Sequence, residues 1–230
     1  MPWVTERVLK KIIGLTLVAA GLHGCSFYEK TNIRNEAETA KYDPATTARI
    51  RAFTSPEITG SYQANATCEQ YRPLQTKEGT PLTVTFKDRT STKQYMLWRR
   101  VDLLGMVEED YINRTIGVPA STTTEELKND RVGYNEHVIP AGKPIVLSLG
   151  FHAVSDQGKA WCYPKPVYLV PQAGKDYEVR YITVKESFMS SSCKVAVSEL
   201  TGNGPVKTPQ PVKTGVCVPD KGYLYRTVGP

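Results

Sequence analysis

Apolar and polar residues alternate strictly along several stretches of this chain. Leu82, Val84 and Phe86 alternate with Thr83 and Thr85, and Ile145, Leu147, Leu149 and Phe151 share one parity. Tyr177, Val179 and Tyr181 alternate with Glu178 and Arg180, and Val195 and Val197 sit between Lys194 and Ser198. A period of two puts the apolar set on one face of a strand and the polar set on the other. Arg49-Ile50-Arg51-Ala52-Phe53 reads as an opening strand, and residues 167–170 as a short apolar one. Turn signals separate these runs at residues 140–144, 156–158 and 171–176, each rich in Gly, Pro or Asp. About seven to nine strands at this spacing predict an all-β fold, an antiparallel β-sandwich of the Ig-like or transthyretin-like kind, over residues 44–200.

Two regions depart from that period. Thr122 or Thr123, followed three residues later by Glu125 or Glu126 and then Leu127, predicts a short capped helix of about two turns. The rest of 98–135 reads as a long excursion between strands, either a contact region or a covering loop. After Leu200, Gly202-Asn203-Gly204-Pro205 opens a Pro/Gly-rich run in which Pro-Val-Lys-Thr occurs at 205–208 and again at 211–214. Residues 201–230 therefore read as an extended tail that packs onto the domain. Tyr223-Leu224-Tyr225 is a candidate edge strand within it.

The N-terminus follows a third pattern. Arg7, Lys10 and Lys11 precede an apolar run from Ile12 to Leu22, too short to span a bilayer and of the length of a secretory signal. Residues 1–24 are thus a predicted signal peptide. Ser26 to Asp43 is polar without a sustained period and reads, with Cys25, as a tether over 25–43.

The net charge is +6, and Arg7, Lys10 and Lys11 against Glu6 account for two of it. The remainder is spread out, with no cluster beyond Arg99-Arg100, so the concentrated footprint of a nucleic-acid binder is missing from the sequence. Outside the signal the histidines are His137 and His152, and no Gly-x-Ser-x-Gly elbow, Walker loop or dinucleotide fingerprint occurs. Glu108-Glu109-Asp110 is the densest acidic cluster, but adjacent acids on one segment do not flank a substrate. The expectation is a non-enzyme with no cofactor and no metal.

With Cys25 set aside, Cys68, Cys162, Cys193 and Cys217 form an even set, which in an oxidising compartment suggests two disulfides with three possible pairings. Free buried thiols are the alternative, and the wide gaps between the cysteines disfavour zinc. The favoured pairing is Cys162–Cys193 with Cys68–Cys217. Cys193 shares the core-facing parity of Val195 and Val197, and Cys217 has no other reason to sit in a Pro-rich run.

Leu22-His23-Gly24-Cys25 resembles the lipobox of bacterial lipoproteins, with His23 as its one departure. The resemblance implies cleavage before Cys25 and acylation of that cysteine, with palmitate-type chains sufficient for stable membrane attachment. Ser26 stands where Asp resembles an inner-membrane retention signal in enterobacterial lipoproteins, which leans the localisation toward the outer membrane, on the periplasmic side. Residues 47–51, 136–144, 171–179 and 193–197 together resemble a group of small proteobacterial lipoproteins for which no catalytic residues are established. The implied function is a lipid-anchored, non-catalytic protein-binding or scaffolding module of the cell envelope, with an envelope protein as partner. The alternatives are an inhibitor or immunity lipoprotein against a periplasmic toxin or hydrolase and, less in keeping with the residues, an envelope enzyme.

Overall fold

A computed structural model describes residues 27–72, 83–86, 108–155, 158–187, 191–220 and 224–229. The chain divides into two compact units, Lys30–Thr90 with Tyr111–Pro230, and Met1–Glu29 with Ser91–Asp110. Nearly all the described residues belong to the first. Of the second, residues 27–29 and 108–110 are described, as strand ends.

The fold is an all-β sandwich. Its strands are β1 (Phe27–Arg34), β2 (Thr47–Thr54), β3 (Ile58–Ala64), β4 (Thr83–Phe86), β5 (Glu108–Thr115), β6 (Gly133–Pro140) and β7 (Ile145–Ser155). They continue with β8 (Gly158–Cys162), β9 (Val167–Leu169), β10 (Asp176–Lys185), β11 (Ser191–Thr201), β12 (Thr208–Pro211), β13 (Gly215–Pro219) and β14 (Tyr225–Val228). One sheet runs β1-β5-β6-β2-β10-β11-β12 and the other β14-β13-β9-β7-β3-β4, with β8 beside β7. Most pairs are antiparallel, but β2 and β10 run parallel, Ile50 beside Tyr177 and Ala52 beside Val179, as do β5 and β6.

The period-two residues meet between the sheets. Ala48, Ile50, Ala52, Ile139, Tyr177, Val179, Val195 and Val197 from the first sheet pack on Tyr62, Ala64, Ile145, Leu147, Leu149, Val167 and Leu169 from the second. The opposite face of the first sheet is also covered. There the connection after β5 crosses the sheet, seating Ile116 and Val118 against Leu200. It ends in a short helix, α1 (Thr122–Glu126), whose cap is Ser121 rather than either threonine expected. Ser121 accepts from the Thr124 N–H, and the Thr124 hydroxyl accepts from the Ser121 N–H, so threonine completes the capping box in place of glutamate.

That connection is pinned by buried charge. Arg51 on β2, Glu136 on β6 and Glu178 on β10 are each at most 2% exposed. All five N–H bonds of the guanidinium are used. Nε and Nη2 donate to Glu136 Oε1 at 2.9 and 2.6 Å, and Nη1 donates to Glu178 Oε1 at 3.1 Å. The remaining donors reach the carbonyls of Pro119 and Val118. Glu136 Oε2 accepts from the N–H groups of Ile116, Gly117 and Val118, and Ser121 Oγ donates to Glu178 Oε1 at 2.5 Å. Arg51 also lies over the Tyr134 ring, 4.7 Å from its centroid. Among the described residues, Glu178 Oε2 is the buried side-chain oxygen with no hydrogen bond.

Two expected boundaries move. The segment read as a tether is largely regular: β1 begins at Phe27, and Asn35 caps a helical turn at Glu36–Thr39 through the Glu38 N–H. An edge strand needs no apolar alternation when its side chains are satisfied laterally, as Asn32 is by Asn113. The run after Leu200 is likewise built into the sheets, with β12 extending the first and β13 and β14 extending the second, so the domain reaches Val228. Residues 98–107 of the predicted excursion lie outside the described residues.

The pinned cluster holds two carboxylates to one cation, so its two kinds of charge are not equivalent. Arg51→Met leaves both carboxylates buried and uncompensated and is expected to cost about 3–5 kcal/mol. Glu178→Gln keeps an acceptor for Arg51 and Ser121 and removes the excess charge, and is expected to change stability by no more than about 1 kcal/mol. Urea unfolding of the two variants measures both.

Candidate functional site

The first sheet ends unevenly. β12 pairs with β11 from Ser198 to Thr201. Beyond that, the Val212 N–H donates to the Val197 carbonyl. Toward its start, β11 continues to Ser191, paired on one side with β10. Among the described residues nothing pairs with its other side from Ser191 to Ala196.

The register settles which groups that edge presents. Pro209 lies opposite Leu200 and Pro211 opposite Ser198. Proline has no N–H, so the ladder bonds to β12 run through Glu199 with Gln210 and Thr201 with Thr208. The bond to the Val197 carbonyl keeps the same parity. Odd-numbered residues of β11 therefore aim their backbone groups away from β10. At the uncovered stretch these are the N–H and C=O of Cys193 and Val195. The even residues Lys194 and Ala196 point theirs at Ile182 and Arg180 on β10.

Beside this edge runs a groove of about 800 Å³. Val195 and Val197 form one wall, Val167 and Val216 the facing one, and Pro211, Val212 and Thr214 close one end. The other end is closed by the Cys162–Cys193 disulfide, which joins β8 in the second sheet to β11 in the first. The second disulfide, Cys68–Cys217, ties β13 to the turn after β3 under Tyr71, Tyr168 and Tyr225. Both pairings are the favoured ones.

Tyr163 borders the groove, and its ring lies over Gly150 on the outer face of the second sheet, where a Cβ would come within 2.6 Å of it. Tyr163 and Trp161 are 67% and 64% exposed, and both rings lie on the outer face of the second sheet, with Trp161 opposite His152. The charged residues lining the groove are Lys165 and Lys194, both exposed. The site thus combines backbone donors and acceptors that no described residue pairs, an apolar trough and positive charge. That arrangement is suited to holding an extended chain.

The other sequence candidates lie elsewhere. Cys25 is outside the described residues. Glu108, Glu109 and Asp110 fall at the start of β5. His152 is exposed on β7, opposite Trp161. His137 on β6 points toward the core side, its ring edge-on to Tyr62 at 5.9 Å and its Nδ1 3.9 Å from Glu38 Oε1. Among the described residues, no three His, Cys, Asp or Glu side chains gather as metal ligands, and no helix is long and apolar enough to cross a membrane.

Glu38, in the segment read as a tether, is buried and is the more instructive of that pair. It accepts from the Val138 N–H at 2.9 Å and from Lys41 at 2.6 Å. Burial opposes its charge, but these two bonds, with the charges of Lys41 and His137, hold the carboxyl below its ordinary range. Burial pushes His137 below its ordinary value, with Glu38 pulling upward and Lys41 adding to the lowering.

A scan against protein-family models and searches of curated proteins and of solved structures find no match to this chain.

Both shifted groups bind protons more readily in the unfolded chain than in the folded one, so their contribution is present at higher pH and is lost on acidification. The melting temperature is expected to fall as pH drops from about 7 to 5, where an unfolded histidine takes up its proton, and again below about 4.5. His137→Gln should flatten the upper step and leave the lower one. Thermal melts of both proteins across that range check it.

Proposed function

We propose that this chain is a lipid-anchored envelope lipoprotein, held on the periplasmic side through Cys25, whose sandwich is a non-catalytic protein-binding or scaffolding module. The observation that carries the binding role is the groove beside the uncovered edge of β11. Free edge groups next to an apolar trough are what a polypeptide ligand uses: the backbone supplies hydrogen bonds and the trough takes side chains. The described residues lining that trough are valines, prolines, Ile182, Ala196, three hydroxyl residues, one tyrosine and two lysines, with a disulfide, and no histidine or carboxylate is among them.

The anchor rests on the lipobox-like Leu22-His23-Gly24-Cys25 that ends the apolar run. Two disulfides favour an oxidising compartment, which agrees with export. Ser26 after the lipidated cysteine favours the outer membrane. A surface-tethered module of this kind reaches partners in or beside the same membrane and gains from the high local concentration that anchoring provides.

The test is to express the tagged chain in a Gram-negative host and compare wild type with Cys25→Ala. Wild type should lose residues 1–24, gain the mass of acyl chains and fractionate with membranes, while the variant does neither. Mild crosslinking of wild-type cells should then recover one envelope protein in constant ratio. Two soluble, unlipidated forms would refute the anchor, and a lone monomer after crosslinking would refute the binding role.

A further inference from the structure

The shape of the groove bears on what it holds. An ordinary hydrophobic pocket is walled by side chains, whereas this one has a strand edge along one side. Between the disulfide and the Val212–Val197 bond, β11 offers Cys193 and Val195, whose free groups repeat every second residue. At about 3.3 Å per residue, that repeat matches the spacing at which a neighbouring strand presents its own bonding groups. The occupant that satisfies it is another backbone in extended form.

The neighbourhood also selects side chains. A strand laid against β11 alternates its side chains between the inter-sheet trough and the outer face of the first sheet. The trough side meets Val167, Val195, Val197, Val212 and Val216 and takes apolar groups. The outer side meets Lys194, and the mouth carries Lys165. Neither has a carboxylate within ion-pair distance among the described residues.

The same lysine argues against a second copy of this chain. Antiparallel self-pairing centred on the free groups of Cys193 and Val195 would set Lys194 directly opposite its counterpart, and like charges at that position are destabilising. The edge protected by β12 makes the contrast. There Pro209 and Pro211 turn their nitrogens, which carry no hydrogen, toward solvent and block further pairing. The stretch from Ser191 to Val197 has no proline.

We propose that the groove beside β11 binds an extended polypeptide segment, added as a strand to the first sheet, with apolar residues alternating with acidic ones. This deepens the binding-module reading and rests on it. The segment pairs with Cys193 and Val195, places apolar side chains between the sheets and sets its carboxylates against Lys194 and Lys165.

The experiment uses the processed, lipidated protein in nanodiscs and three fluorescent peptides of about nine residues. One alternates valine with glutamate, one alternates valine with lysine, and one is the glutamate peptide with proline at alternate positions. The glutamate peptide is expected to bind at least tenfold more tightly than either other, by anisotropy. A photo-crosslinker at its centre should attach to residues 193–197 or 211–216. Lys165→Glu with Lys194→Glu, two exposed positions, should reverse the preference between the glutamate and lysine peptides while leaving the melting temperature unchanged. Equal binding of all three peptides, no binding, crosslinks elsewhere, or a concentration-dependent dimer that excludes the glutamate peptide would each overturn the proposal. If crosslinking in cells still recovers an envelope partner while the peptides fail here, the module binds by another surface and only the strand-addition proposal falls.

Discussion

Arg51 holds the first sheet to the chain that crosses it. Its guanidinium bridges a carboxylate on β6 and one on β10 and still reaches two carbonyls of the overlying connection. Glu136 completes the tie by accepting three successive backbone N–H groups of the same connection. Groups this deeply buried are costly to desolvate and become tolerable only when each is bonded, which is nearly the case here. One consequence is architectural: the middle strands of this sheet are covered on both faces, and the places where backbone and apolar surface meet solvent are displaced to the margin.

At that margin the chain treats its strand edges in two ways. Where β12 lies, proline ends the hydrogen-bonding possibilities. Where β12 has ended, no described residue pairs with the alternate donors and acceptors of β11, and a valine-lined trough lies beside them. A disulfide ties the two sheets together at one end of the trough, and at the other the Val212 N–H extends the β11–β12 pairing by one bond to the Val197 carbonyl. The trough therefore has a covalent tie between the sheets at its Cys162–Cys193 end. Exposed strand edges invite unwanted association, and Lys194 reduces that hazard for self-pairing while leaving an acidic strand admissible.

The strands of the core were legible because their period of two survives in the sequence. Leu147, Leu149, Val179, Val195 and Val197 all face where their parity places them, and Cys193 could be assigned to a partner by the same rule. Parity tells which face a residue is on, however, and not whether that face is covered. Arg51, Glu136 and Glu178 have the pattern of a solvated face and are among the most buried side chains in the described residues. The strand at Phe27–Arg34 was hidden because lateral polar bonds replace an apolar stripe there, and β12 because prolines usually count against a strand. The groove had no signal in any one segment. It arises from register, from the fact that β12 ends at Pro211, opposite Ser198, while β11 runs back to Ser191. The four cysteines were its one visible trace, since one of their pairs forms its end.

Binding of an added strand depends on that uncovered edge, and amide hydrogen exchange on the unliganded protein tests it most directly. Along β11 the predicted pattern alternates: the Lys194 and Ala196 amides, bonded to β10, exchange slowly, while the Cys193 and Val195 amides exchange close to the rate of open chain. The Glu199 and Thr201 amides, which face β12, should also be slow. Uniform protection from Cys193 through Ala196 would mean that another segment already completes the sheet, and the groove would then be no binding site for an added strand.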